Sequence, residues 1–147
     1  MDIGPVPNLT DPPIHATTIA SYGIGVLILG PSGSGKSTLA LQLMAYGAEL
    51  VADDRTLLSL REDAVWASRP ETLPQMIEAR GVGLLPVACH GPVRLGLVVD
   101  MGKIEKDRLP PARRWEFRGQ SVALLHKSEE THFSAAILQY LKSNHVS

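Results

Sequence analysis

One run, Gly30-Pro31-Ser32-Gly33-Ser34-Gly35-Lys36-Ser37, constrains this chain more than any other stretch. It fits the Walker A pattern Gly-x-x-x-x-Gly-Lys-Ser/Thr without a mismatch. The apolar Val26-Leu27-Ile28-Leu29 precedes it and a helical pattern follows, which is the strand–loop–helix setting the motif requires. Gly30, Gly33 and Gly35 allow positive φ and close backbone approach to a phosphate chain. The loop amides and the positive end of the new helix then face the anion. The residues expected to bind nucleotide are Gly30, Pro31, Ser32, Gly33, Ser34, Gly35, Lys36, Ser37 and Thr38. Lys36 is expected to reach the β- and γ-phosphates, with the Ser37 hydroxyl on Mg²⁺. The motif therefore predicts a nucleoside triphosphate site.

At 147 residues the chain is long enough for one core. Hydrophobic content of 44% with 20% charged residues is that of a soluble globular protein. A formal charge of −1 makes no electrostatic case for nucleic acid or an anionic membrane. Cys89 is the only cysteine, so no intrachain disulfide can form, which suits a reducing compartment. Met1–Pro13 is polar and proline-rich, reads as a loose arm and lacks the apolar centre of a signal peptide. The expectation is a cytoplasmic protein with one catalytic domain over residues 14–147.

The β-branched, threonine-rich Ile14–Ser21 and the apolar Val26–Leu29 predict a hairpin around a Tyr22-Gly23-Ile24-Gly25 turn. A helix is expected over Lys36–Tyr46, ended by Gly47, then a short strand Glu49–Ala52 running into Asp53-Asp54. Thr56–Arg61 and Ala64–Ser68 flank Glu62-Asp63 as a second hairpin, and Trp115–Phe117 with Gln120–Leu125 flank Arg118-Gly119 as a third. A short helix is expected near Gln75–Glu78, strands at Leu84–Cys89 and Val93–Val99, and a surface loop over Met101–Arg114. The last element is a helix from about Glu129 to Lys142, capped by Ser128, with Phe133, Ala136, Ile137, Tyr140 and Leu141 on its buried stripe. Hairpins outnumber strand–helix–strand units, so the expected fold class is α/β, a mixed sheet with hairpins and few helices.

Walker A alone does not choose a reaction. A transporter-type ATPase would need a Ser-Gly-Gly-Gln signature and a GTPase an Asn-Lys-x-Asp motif, and neither occurs here. The ordered combination that does occur resembles the catalytic domain of HPr kinase/phosphorylase. The matching landmarks are His15, the Gly30–Ser37 loop, Leu50-Val51-Ala52-Asp53-Asp54, Glu78-Ala79-Arg80-Gly81-Val82-Gly83 and Asp107-Arg108-Leu109. The fourth is similar to the family's Glu-x-Arg-Gly-Leu-Gly, and the fifth to its Asp-Arg-Leu-Gly, with Pro110 in place of the last glycine.

That resemblance implies a P-loop kinase fold of the phosphoenolpyruvate-carboxykinase-like type. It implies ATP and Mg²⁺ as donor and metal, the phosphocarrier HPr as serine-bearing substrate, and a homohexamer. It casts Asp54 as proton acceptor, Asp53 as a supporting or metal-shell group, His15 as the partner that orients or tunes Asp54, Glu78 as the metal ligand beside Ser37, and Arg108 as the arginine that stabilises the transferred phosphoryl group. Arg80 is a candidate anchor for a carboxylate or phosphate. No stretch resembles the family's N-terminal regulatory domain, and its Pro-Val-Arg-Pro-Gly-type loop is not visible in Leu125–Ser134, so the resemblance favours kinase over phosphorylase chemistry. Two alternatives keep the same loop: a kinase of a small hydroxylated metabolite, and a nucleotide-dependent sensor without turnover. On strand alternation alone only one of Asp53 and Asp54 should face the phosphate. His90, His126, His132 and His145 show no metal-ligand spacing.

Overall fold

In a computed structural model the chain is described over residues 12–144. The expected N-terminal arm, save its last two residues, and His145 lie outside this range. Strands and helices follow in the order β1 (Ala16–Ser21), β2 (Ile24–Leu29), α1 (Lys36–Ala45), β3 (Glu49–Ala52), β4 (Leu57–Arg61), β5 (Ala64–Ser68), β6 (Met76–Ala79), β7 (Gly83–Pro86), β8 (Val93–Ile104), β9 (Arg113–Phe117), β10 (Gln120–Lys127) and α2 (Phe133–Asn144). The main sheet runs β3-β1-β2-β8-β10-β9, with β4 joined through β5 to the start of β8; β6 and β7 pair separately. β8 is parallel to both β2 and β10, while the remaining pairs are antiparallel. The mixed α/β sheet with few helices is thus borne out.

All three expected hairpins form, each through a two-residue turn with both φ values positive: Tyr22-Gly23 at 55° and 70°, Glu62-Asp63 at 53° and 60°, Arg118-Gly119 at 49° and 83°. This is the type I′ geometry, whose twist matches that of the strands it joins. Gly25 belongs to β2 rather than to the turn. A Cβ there would lie 2.7 Å from Val93 Cγ1, so its glycine lets β8 approach.

The central strands are buried on both faces, which is why they read as continuous apolar runs. On one face Val26, Ile28, Leu97 and Val99 pack with Leu39 and Leu43 of α1 and Ile137 and Leu141 of α2. On the other, Leu27 and Val98 pack with Leu58 and Val65 of the β4–β5 hairpin. Leu43 is fully buried, and its truncation to alanine would cost about 2–5 kcal/mol through lost transfer energy and the cavity left behind.

The structure corrects four expectations. The segment near Gln75–Glu78 is a strand, because Ile77 and Ala79 are buried while Glu78 is exposed, a two-residue period that Ile77 satisfies by entering the α1 face of the core. The strand that follows it is Gly83–Pro86 rather than Leu84–Cys89. β8 does not stop at Val99 but continues to Ile104. Its backbone is paired through His126 and Lys127 of β10, and Met101 is buried beneath the phosphate-type loop, leaving only residues 105–112 irregular. Helix α2 begins at Phe133: Ser128 Oγ accepts from Glu130 N at 3.2 Å, but a turn intervenes, and Ser134 rather than Ala136 lies on the buried face.

Candidate functional site

Sheet register assembles the site. β2 delivers the chain into Gly30–Gly35, and its antiparallel neighbour β1 begins opposite the end of β2, with Ala16 across from Leu29. β3 lies on the other side of β1, so its end brings Asp53 and Asp54 beside His15 and Thr17. A cavity of about 530 Å³ opens there. It is lined by His15, Ser32, Gly33, Gly35, Lys36, Ser37, Thr38, Asp53, Asp54, Glu78 and Arg80, with Leu73, Pro74, Met76 and Leu84.

The loop has the conformation its glycines anticipate, with φ of 145° at Gly30, 82° at Gly33 and 99° at Gly35. A Cβ on Gly30 would meet Ser34 Oγ at 2.5 Å, so Ser34 packs against the back of the loop. Gly30, Pro31 and Ser34 therefore do not line the cavity, whereas the other six residues of the expected nucleotide set do. Gly35 caps α1 without a side-chain bond, so the first amides of the helix remain available for an anion. Lys36 is only 7% exposed, and its Nζ donates to the Gly30 and Pro31 carbonyl oxygens at 2.7 and 3.2 Å. Among the described residues it has no carboxylate partner. A buried ammonium held only by neutral oxygens, at the mouth of a ring of amides, has the chemistry of a polyanion site.

Asp53 is the most heavily bonded side chain of the cavity. Its Oδ1 accepts from Ser37 Oγ at 2.8 Å and Thr17 Oγ1 at 3.0 Å, and its Oδ2 accepts from the Glu78 amide at 3.2 Å. Asp54 Oδ1 is 2.5 Å from His15 Nε2; an ionised carboxylate can only accept, so Nε2 carries the proton. Arg55 Nε lies 3.9 Å from the other Asp54 oxygen. Both aspartates face the cavity, contrary to strand alternation. They lie just past β3, and a φ of 69° at Asp54 turns its side chain back toward the same side.

Glu78 sits on β6 at the opposite wall, exposed, with Arg80 beyond it. Among the described residues no three His, Cys, Asp or Glu side chains form a metal cage. Mg²⁺ rarely uses one; it takes one or two carboxylates together with water and substrate phosphates. Ser37 with Asp53, and Glu78 across the gap, fit that habit. Arg108 is exposed on the 105–112 loop and is not among the residues that line the cavity. The base of that loop is held by a bidentate pair of Arg113 with Glu105, at 3.2 and 3.1 Å, and Pro110-Pro111 stiffens its return. The pair holds the Glu105 carboxyl below its ordinary value through the Arg113 hydrogen bonds.

Two residues escaped the sequence reading. Thr17 reads as an ordinary β-branched strand residue, and Lys127, whose Nζ lies 3.4 Å from the Ser34 carbonyl oxygen, falls past the strand expected to end at Leu125. Neither position carries a local signal, because their partners lie 36 and 93 residues away.

Residues 9–107 match the family described as HPr Serine kinase C-terminal domain. The chain belongs to this family. Curated relatives of the HPr kinase family include HPr kinase/phosphorylase of Thermoanaerobacter sp. (strain X514), 38% identical over 65% of this chain and 34% of that protein. The protein of the same name from Caldanaerobacter subterraneus subsp. tengcongensis is 44% identical over 60% and 30% of the two chains. The chain spans about a third of the length of these curated relatives. Among solved structures, the Hpr(Ser) kinase/phosphatase from Coxiella burnetii superposes with a TM-score of 0.73 at 23% identity, covering 88% of this chain and 93% of that one. The P-loop-type kinase fold of the family is thereby shown. The family match ends one residue short of Arg108.

Proposed function

We propose that this chain is an ATP- and Mg²⁺-dependent phosphotransferase that phosphorylates a serine of the phosphocarrier HPr. The observation that carries the reading is the convergence of the anion-seeking Lys36 loop with an aspartate already hydrogen-bonded to histidine, in one cavity of a chain of this family. Family membership favours it over a metabolite kinase or a sensor without turnover.

Lys36 and the amides of Ser32–Ser37 hold the phosphate chain, and Lys36 balances charge that grows on the β–γ bridge. Asp54, with one oxygen held by His15, presents the other to the acceptor serine and takes its hydroxyl proton as the new oxygen–phosphorus bond forms and the β–γ bond breaks. Ser37, Asp53 and Glu78 are the residues that would hold Mg²⁺, which supplies neutralisation of the phosphate oxygens. Arg80 is the guanidinium in the cavity wall, and Arg108, on the exposed 105–112 loop, is the arginine assigned to the transferred phosphoryl group. Assembly into a homo-oligomer and a cytoplasmic setting belong to the proposal; among the described residues no helix is long and apolar enough to cross a membrane.

The test is transfer of labelled γ-phosphate from ATP with Mg²⁺ to purified HPr, with an HPr whose acceptor serine is alanine as control. Serine-dependent labelling is expected. Nucleotide binding with no labelling of HPr would sink the assignment of substrate.

A further inference from the structure

We propose that Thr17 is a positioning residue that sets both carboxylates of the site through one hydroxyl. The inference rests on the kinase reading above and adds to it a residue that no motif marks.

Thr17 is the second residue of β1 and fully buried. Its hydroxyl has one proton to give, and Asp53 Oδ1, 3.0 Å away, can only accept. The proton therefore goes to Asp53, and a lone pair of Thr17 Oγ1 takes the Asp54 backbone N–H at 3.1 Å. One atom thus holds the side chain of Asp53 and the main chain of Asp54.

The geometry needs this clamp. Consecutive strand residues point to opposite faces, and here the chain instead adopts a φ of 69° at Asp54, a left-handed conformation that a non-glycine residue holds only when its surroundings impose it. The Asp54 amide on Thr17 and the Ala16 amide on the Asp54 carbonyl (3.1 Å) fix the two peptides that flank the Asp54 Cα. His15 can then reach Asp54 Oδ1. On the other carboxylate, Thr17 and Ser37 share Oδ1 of Asp53. With Thr17 gone, Ser37 would be the only hydroxyl on that oxygen and the carboxylate could rotate away from the Ser37 side.

Packing does not demand a hydroxyl at this position. Valine has the same branched shape and strand preference, so no cavity opens in its place. A Thr17→Val chain is therefore expected to fold, and Thr17→Ser to keep the clamp.

The experiment measures the Mg²⁺ dependence of nucleotide binding by calorimetry, together with the kcat of HPr labelling, for the wild-type chain and both variants. Loss of a group that orients a metal-shell carboxylate characteristically costs about 10–100-fold in metal affinity or activity. Thr17→Val is expected to raise the half-saturating Mg²⁺ and lower kcat within that range, with metal-free nucleotide affinity and the KM for HPr unchanged. Thr17→Ser is expected to restore both. A Thr17→Val chain with wild-type Mg²⁺ dependence overturns the proposal, as does a Thr17→Ser chain no better than Thr17→Val. If the wild-type chain binds Mg²⁺-nucleotide but labels no HPr, the kinase reading falls while the binding comparison still decides Thr17. A wild-type chain that binds no nucleotide overturns both.

Discussion

The two walls of the cavity are built differently. The inner wall, made of β1, the end of β3 and the loop before α1, holds its charged side chains in hydrogen bonds: Asp53 accepts three, Asp54 is tied through His15 and Thr17, and Lys36 spans two carbonyls. The outer wall, made of the β6–β7 hairpin and, farther out, the 105–112 loop, is anchored in the core by Ile77 and exposed at its rim. Glu78 donates its amide to Asp53, and Val82, Leu84 and Leu109 stand 76%, 63% and 81% exposed. The inner wall gains rigidity from the central sheet, whereas the outer wall rests on a two-stranded ribbon, a structure of marginal stability by itself. The difference teaches a division of labour. On the proposed function, the groups preorganised for charge development are those on the sheet, and the exposed rim is where a protein acceptor would enter.

The comparison breaks most sharply at Asp54. Asp54→Asn, whose amide cannot take a proton, is expected to lower phosphoryl transfer by about 10²–10⁴-fold with nucleotide affinity kept, read from kcat and calorimetry on the same preparation. Equal losses in binding and turnover would place Asp54 in substrate binding instead. Lys36→Ala is next: removing the one buried cation of the inner wall should reduce transfer by about 10²–10³-fold and weaken nucleotide binding as well, with the thermal melt near that of the wild type. A folded variant with wild-type turnover would end the role assigned to the loop.

At the outer wall effects should be smaller. Arg108→Ala is expected to change nucleotide affinity by no more than about twofold, as for a surface residue away from a site. A large fall in transfer to HPr with that affinity intact would sharpen the comparison, since it would show the 105–112 loop closing only on the acceptor. The smallest effect belongs to Glu105→Gln, which removes the ion pair at the base of the loop. Because the Arg113 hydrogen bonds lower the Glu105 carboxyl from its ordinary 4.5, the stabilisation is complete above that value and fades as pH falls through the lowered one. The wild-type chain should therefore melt slightly higher than the variant at neutral pH, and the gap should close in acid. A gap that persists well below 4.5 would assign the difference to packing.

Much of this protein was legible in the sequence because the signals are local. Gly30, Gly33 and Gly35 announce a phosphate-type loop by spacing alone, and turn residues mark all three hairpins, although the first turn reads as four residues and forms with two. Glu49–Ala52 is an apolar strand that leads directly to paired aspartates. The errors have a common cause. The short apolar stretch at Met76–Ala79 fits either a helical turn or a strand until the core accepts Ile77, and polar residues after Val99 read as loop until β10 supplies hydrogen bonds to them.

By itself the sequence determined the loop, the hairpins, the mixed α/β class and the list of residues able to do phosphate chemistry. The tertiary structure decided which of them meet. His15 and Asp54 are 39 residues apart, Thr17 and Asp53 are 36 apart, and only the β1–β3 register brings each pair within hydrogen-bond distance. The same register, with the left-handed turn at Asp54, places both carboxylates on one side, while the Glu105–Arg113 pair holds the base of the loop on which Arg108 stays outside the cavity. Spacing and side-chain pattern encode local conformation; strand register is a property of the whole sheet, set by which faces its strands must bury.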